Sequence, residues 1–520
     1  MSGGAVTAPS FSHMGPVMGM FRLAGLLAIL AAPATAQITA RDVIDNHAAF
    51  LRAIGADLNV TLDDGIARDA TATRTIFEYG PELRVTFSEI ALAENADGTV
   101  TITWPGGLTI RADLVGAGVF DEAEMPIVSL DIALTPEGHQ VIASGRPGDI
   151  VYDGRADRMR MRLIGADTSD LPAVPDTAYD YDATDWRTEV RITQGDPLVF
   201  DYGLLSGPTE AVDTAPSWDW GMTDITTTST GGGSLAITAT LPAGMWAHDD
   251  PLTALRDGLV IGVTSDYTAS VGRMITTDRA GTEVYSDESL FEREVFAARL
   301  DATGLALRAD IGPGHFGFRD AYLSDDEYST RWDTARAEAL LPVLAGPDPQ
   351  PARLSVLVEG ATGNDAVWAL APGTEALPRD PARLELDSEA LVTLDTTPFE
   401  MLVPFYLDPL PIAVDSVTLT TLDAAIAGAT LQADGAVAFD WTDTDTWGFA
   451  APTGRLTATA TGLTALLDAL DQGGTLPPEA IRAARMGLAL FAQPTGDDTL
   501  SSEVEISEDG QLIVNGQRMQ

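Results

Sequence analysis

Runs in which apolar and polar residues alternate follow one another through most of this chain, and a period of two suits a strand and not a helix. Leu83, Val85 and Phe87 alternate with Arg84 and Thr86. After an Asp97-Gly98 turn, Val100, Ile102 and Trp104 alternate with threonines, which predicts a hairpin. Val128, Leu130, Ile132 and Leu134 continue the pattern, and "GDIVYDG" adds a short strand. In "GRADRMRMRL" (Gly154–Leu163), Met159, Met161 and Leu163 take one face, and Arg158, Arg160 and Arg162 take the other. A second β region opens at "SLAITATLPAGMW" and runs through "GLVIGVTSDYTASV" and "GLALRADIG". A third holds "ARLSVLVEGA", "ARLELDSEALVTLD" and the run from Ile412 to Trp441. The fold class these runs predict is mainly β (α+β): long, largely antiparallel, curved sheets with a few short helices packed on them.

The helical signals are few. Val43, His47, Phe50, Leu51 and Ile54 fall on one helical face, with Thr39 placed to cap and Gly55 to terminate. A second helix is expected at Pro398–Leu407. Near the C-terminus, Leu463, Leu466, Leu467 and Leu470 make a stripe that Gly473-Gly474 breaks. Pro477-Pro478 then opens a helix carrying Ile481, Ala484, Leu488 and Phe491, and a hairpin turning at Asp509-Gly510 closes the chain. These two helices are expected to bury their stripes on the sheet. Between about Gly165 and Gly233, Pro, Thr, Gly and Asp mark long loops or a junction around one strand-like "WRTEVRITQ", and "AGPDPQP" at Ala345–Pro351 reads as a linker.

Met20 to Ala36 holds one basic residue, an apolar run and a small-x-small end, the order of a secretory signal peptide cleaved near Ala36. The organisation expected is therefore 1–19 a non-structural extension, 20–36 the signal peptide, 37–205 the N-terminal helix and first β region, 206–344 a loop-rich junction and second β region, and 345–520 the C-terminal β region. No later segment reaches the 18 or so apolar residues of a membrane span, so the exported chain is expected to have no transmembrane span and to reside in the periplasm. There is no cysteine, hence no disulfide and no thiolate chemistry. There is also no lysine, which excludes Schiff-base catalysis and a phosphate-loop lysine. A formal charge of −47 argues against nucleic acid as a partner.

Four arginines, Arg155, Arg158, Arg160 and Arg162, crowd into eight positions of so acidic a chain. Either carboxylates on adjacent strands neutralise them, or, left unpaired, they seat an anion such as a lipid headgroup. Among the acidic clusters, Asp180/Asp182/Asp185, Asp325/Asp326/Glu327 and Asp440/Asp443/Asp445, the last is the best candidate for a calcium site. None has the full loop of an EF-hand, and a solvated turn is the competing reading. The histidines His47, His139, His248 and His315 are isolated in sequence, and no hydrolase or metalloprotease motif occurs, so no catalytic residue and no cofactor is assigned. Tyr and Trp beside Asp in "AYDYDATDW" and "PSWDWGM" either stack on sugars or cover the end of a sheet.

From "DVIDNHAAFLRAIGADLNV" through "RVTFSEIALAENADGTVTITWPGGLTI" to "EISEDGQLIVNGQRM", the chain resembles the exported bacterial family called domain of unknown function 2125. The C-terminal order "GRLTATATGLTALLDAL", "GTLPPEAIRAARM", "SSEVEISEDGQLIVNG" is also similar to sheet modules of AsmA-like envelope proteins. The resemblance implies a Gram-negative envelope protein with a long antiparallel sheet and no assigned activity. The AsmA-like similarity implies lipid movement along an apolar-lined β groove. The function expected first is a non-enzymatic periplasmic binding or envelope-maintenance protein, its partner a lipid or another envelope component. That reading requires a continuous aliphatic surface uncovered by helices. A scaffold without small ligand is the alternative, and a hydrolase of envelope glycans or lipids the third reading.

Overall fold

The computed structural model describes residues 37–75, 82–104, 106–117, 124–167, 178–216, 222–244, 252–370, 374, 377–395, 412–442, 450–474 and 476–519. The expected signal peptide, the expected helix at Pro398–Leu407 and the "PSWDWGM" tryptophans lie outside those residues. The chain divides into two compact units, one of Met1–Val174, Ala178–Gly207 and Ala236–Ala247, the other of Pro175–Thr177, Pro208–Leu235 and His248–Gln520.

The first unit opens with α1 (Ala40–Ala53) and continues through β1 (Asp57–Asp63), β2 (Ile66–Thr75), β3 (Glu82–Phe87), β4 (Ile90–Glu94), β5 (Val100–Thr103), β6 (Leu108–Ala117), β7 (Glu124–Glu137), β8 (Gln140–Arg146), β9 (Asp149–Asp167), β10 (Ala178–Thr193) and β11 (Leu198–Ser206). Its ladders are antiparallel: β6 pairs with β7, β7 and β8 with β9, β9 with β10, and β10 with β11. Thr39 starts α1 as a capping box, its hydroxyl accepting from Asp42 N at 3.1 Å while the Asp42 carboxylate accepts from Thr39 N at 2.8 Å. Gly55, at φ +77°, turns the chain out of the helix. The helix lays Val43, His47 and Phe50 on the sheet, where Phe50 stacks on Phe200 with centroids 4.6 Å apart. Alternate residues Ile150, Tyr152, Val190, Ile192 and Phe200 form the buried floor beneath it. A neighbouring core gathers Trp104, Leu108, Ile110, Ile132, Leu134 and Met159.

From Thr209 the chain runs through β12 (Thr209–Pro216), β13 (Thr223–Thr230), β14 (Gly232–Leu241), α2 (Thr253–Arg256), β15 (Val260–Thr277), β16 (Glu283–Asp301), β17 (Gly304–Ile311), β18 (Gly314–Asp320), β19 (Ser324–Trp332), β20 (Thr334–Leu341), β21 (Gly346–Gly363), α3 (Asp365–Ala369), β22 (Ala382–Leu394), β23 (Ile412–Ile426), β24 (Ala429–Asp440), β25 (Ala451–Thr461), α4 (Leu463–Gly473), α5 (Pro478–Phe491), β26 (Gln493–Gly496), β27 (Thr499–Ile506), β28 (Leu512–Val514) and β29 (Gln517–Arg518). In the second unit β16, β17, β20, β21, β22, β23, β24, β25 and β27 pair in that order, each antiparallel to the next.

The mainly β, antiparallel class expected from the alternation is what the chain adopts. Four local expectations differ. "GDIVYDG" and "RADRMRMRL" are one strand, β9, because Gly154 stays in register between Thr188 and Val141. The region around 165–233 holds β10 to β13, so "AYDYDATDW" is the first half of a strand and not a loop. "AGPDPQP" begins β21. Pro347 and Pro349 fall where the pairing with β22 slips between Gly346 and Gln350, a place where a missing N–H costs no ladder bond. The C-terminal helices cover less than their stripes promise: Leu467 and Ile481 are buried, while Leu463, Leu466, Leu470 and Leu488 are only half-buried.

Candidate functional site

The arginine row is built by β9 and its neighbours. Register sets Arg162 opposite Asp180 and Arg160 opposite Asp182 on β10, with Arg158 opposite Glu137 on β7. The Arg158 Nε donates to both Asp182 oxygens, at 2.7 and 2.9 Å, and Arg158 Nη2 closes the fork. Arg160 Nε reaches the same carboxylate at 3.0 Å, and Arg162 Nε reaches Asp180 at 2.8 Å. Hydrogen bonding from Arg158 holds the Asp182 carboxyl below the usual carboxylate range, and Asp180 raises the Arg162 guanidinium. Arg155 stands apart, donating to Gln140 Oε1 at 2.7 Å with Arg187 opposite it on β10. Three guanidiniums free of carboxylates were the condition for an anion seat here, and that condition is not met. The row is a cross-strand ion ladder.

Beneath α1 lies a buried polar chain. His47 Nδ1 is 2.9 Å from Val43 O and 3.1 Å from the Tyr152 hydroxyl, which donates to Asn46 Oδ1 at 2.6 Å. Asn46 Nδ2 in turn donates to Ile192 O at 3.2 Å. A carbonyl only accepts, so the imidazole proton belongs on Nδ1, and Nε2 is left bare and buried without a partner. Burial lowers the His47 pKa and raises that of Tyr152. The chain ties α1 to the strands beneath it. His139 stacks on Trp104, His315 stands on β18 between Leu290 and Arg331, and His248 lies outside the described residues.

Of the calcium candidates, Asp443 and Asp445 lie outside the described residues. Asp440 spends one carboxylate oxygen on Thr442, accepting from its N–H at 2.8 Å and its hydroxyl at 2.7 Å, bonds that lower its pKa. Among the described residues no group of three or more His, Cys, Asp or Glu is arranged to hold a metal ion.

The feature that individual residues did not reveal is the apolar face of the second unit's sheet. Register places Phe296, Ala309, Ala337, Val356, Leu386, Leu422, Ala433 and Ala458 side by side across eight strands. The row beside it runs Leu307, Ala339, Leu354, Ser388, Leu419, Gly435, Leu456 and Val504. A third holds Ile311, Ala335, Val358, Leu384, Ala424, Leu431, Ala460 and Leu500, and on the far side Leu305, Leu341, Ala352, Ala390, Val417 and Val437 make a fourth. The opposite face carries the charges, with Arg308 bonded to Asp310 and Glu338, Arg383 to Asp423, and Arg455 to Glu503.

Such one-sided sheets normally bury the apolar face. Here Phe296, Leu341, Leu354, Leu384, Val417, Leu431 and Leu456 remain between 36% and 46% exposed. The unit's helices pack chiefly on β19, β21, β24 and β27. With strands about 4.8 Å apart and alternate residues about 6.7 Å apart, the strip measures about 38 by 20 Å, or about 750 Å². Gly435 leaves a gap in its middle and has to be glycine, since a Cβ there meets Arg455 O at 2.3 Å. The alternation in each strand was visible in the sequence; which phases would align across nine strands was not.

Residues 274–517 match the family described as "Uncharacterized protein conserved in bacteria (DUF2125)". The match runs from late in β15 to the terminal hairpin and so contains the strip; the N-terminal segments from which a resemblance was expected lie outside it. No curated protein and no solved structure matches the chain.

Proposed function

Through residues 274–517 the chain belongs to the DUF2125 family of bacteria, and from that premise, which brings no activity with it, we propose that the protein is a non-enzymatic carrier of an apolar or lipid ligand, exported to the periplasm and seated there on the apolar strip of its second unit. The observation that carries the reading is the exposure of Leu354, Leu384, Leu431 and Leu456 on one continuous aliphatic face. Hydrocarbon suits that face better than protein does. Protein interfaces form about one hydrogen bond per 100–200 Å², so a partner covering the strip would need roughly four to seven donors or acceptors. The rows offer the hydroxyl of Ser388, and Ser502 extends the first row opposite Ala458 on β27, but Ser388 already donates to Leu354 O at 3.3 Å and Ser502 to Phe491 O at 2.6 Å. One leaflet of a bilayer core is about 15 Å thick, so acyl chains lie along a strip of this length with room to spare.

The test is native mass spectrometry with lipid extraction on protein purified from a periplasmic fraction without detergent, beside the variant Leu354→Asp/Leu456→Asp. The wild type should hold an amphiphile. The variant should stay folded and hold at least about tenfold less, since each leucine contributes roughly 1.5–3 kcal/mol when covered. A lipid-free wild type overturns the reading. A wild-type dimer that the same substitutions dissociate favours the scaffold instead.

A further inference from the structure

We infer that α5 is a bilayer-contacting helix standing at one end of the strip, where ligand passes between protein and membrane; the inference names a partner for the proposed carrier and rests on that reading. The helix has two apolar stripes. Ile481, Ala484 and Leu488 turn inward, with Ile481 only 1% exposed. Ala483, Met486 and Leu490 turn outward at i, i+3, i+7 spacing, and Met486 is 63% and Leu490 49% exposed, with Phe491 beside them at 40%. A helix that only covered the sheet would have no use for the second stripe.

Position links this stripe to the strip. Phe491 O ends α5 by accepting from Ser502 Oγ and from Asn515 Nδ2 at 3.1 Å, and Ser502 stands on the strip's face of β27 between Leu500 and Val504. The exposed end of α5 therefore borders the last strand of the apolar surface.

The residues of the helix itself select the occupant, because the net charge of −47 opposes a second copy and an anionic surface alike. Yet α5 carries Arg482 and Arg485 against the single acid Glu479. Arg485 is held by Asp468 and Asp471 of α4, at 2.8 and 2.9 Å. Arg482 spends only Nε, on Pro478 O at 3.1 Å, and forms no ion pair among the described residues. Met, Leu and Phe flanked by a guanidinium with no ion pair among the described residues is the chemistry of a helix lying in a headgroup layer, its apolar side sunk and its arginine at the phosphates.

The experiment is flotation of the full protein with vesicles of phosphatidylethanolamine and phosphatidylglycerol, comparing wild type, Met486→Asp/Leu490→Asp and Leu354→Asp. The lipid content of each is measured separately and folding is checked by thermal melting. The α5 variant should lose flotation at least about tenfold while keeping its bound lipid, because two exposed apolar side chains no longer insert. Leu354→Asp, away from α5, should lose bound lipid and still float. Equal flotation of wild type and α5 variant, or a wild type that holds lipid but does not float, overturns the inference. A dimer broken by Met486→Asp/Leu490→Asp overturns it in favour of self-association. A wild type that floats through α5 but never holds lipid overturns the carrier reading and leaves the membrane contact standing.

Discussion

His139 stacks on Trp104 with ring centroids 4.2 Å apart, and burial lowers its pKa to about 4. Neither His139 Nε2 nor Trp104 Nε1 has a hydrogen-bond partner, so the neutral ring is what this packing accepts. The unfolded chain takes up the proton near pH 6.5, while the folded chain resists until about pH 4. Between those values the unfolded state binds more protons, so stability falls as pH is lowered through that window and is fully present above it. His47 acts in the same direction, its pKa also lowered by burial. Asp182, with a depressed pKa, contributes stability that is lost only at lower pH, as acid reaches the carboxylates. We expect melting temperature followed from pH 7 to pH 4 to drop in the wild type and to drop less in His139→Phe, which keeps a ring against Trp104 without a titratable nitrogen. Parallel curves for the two proteins would remove His139 as a source of acid sensitivity.

At the scale of elements, α1 is the part whose sequence and structure agree most closely, because everything that specifies it is local. Its cap, its stripe and its terminating glycine lie within 17 residues, Thr39 to Gly55. Phe50→Ala should therefore undock a helix that is otherwise well made, at a cost of about 3–5 kcal/mol, the usual range for emptying a buried phenylalanine site. Arg41→Ala, on the exposed side, should change little. Denaturant unfolding distinguishes the two, and a loss below about 1 kcal/mol for Phe50→Ala would mean the helix contributes little to the unit. Strands were legible wherever alternation was unbroken, as in β3, β5 and β17. They were cut short where Gly154 or the prolines of β21 looked like punctuation, because neighbours that keep a glycine or proline in register are distant in sequence. The candidate site was legible only in part for the same reason. The alternation of Arg158, Arg160 and Arg162 was plain, but their carboxylate partners depend on register with β10, and the apolar strip depends on the register of nine strands at once.

The whole molecule carries 77 acidic residues against 30 arginines, so even complete pairing of every arginine leaves 47 negative charges facing one another. Two electrostatic effects then oppose each other as salt is added. Screening weakens the ion pairs, but these are exposed, as Arg353–Glu389 is at 57% for both partners, and such pairs contribute about 0–1 kcal/mol each. Screening also relieves the self-repulsion of the net charge, which acts over all distances within the fold and is not offset by any desolvation. The Debye length shrinks from about 10 Å at 0.1 M salt to about 3 Å at 1 M, so repulsion between charges on separate strands disappears while contact pairs at 3 Å are only weakened. Repulsion should therefore dominate, and the melting temperature should rise as sodium chloride is raised from low concentration to 1 M. Chloride salts are the right choice, since sulfate would also strengthen apolar burial and confuse the two causes. A melting temperature that falls with salt would mean the arginine ladders outweigh the net charge, and would make the pairing of Arg158 and Arg160 with Asp182 a larger part of the fold's stability than its exposure suggests.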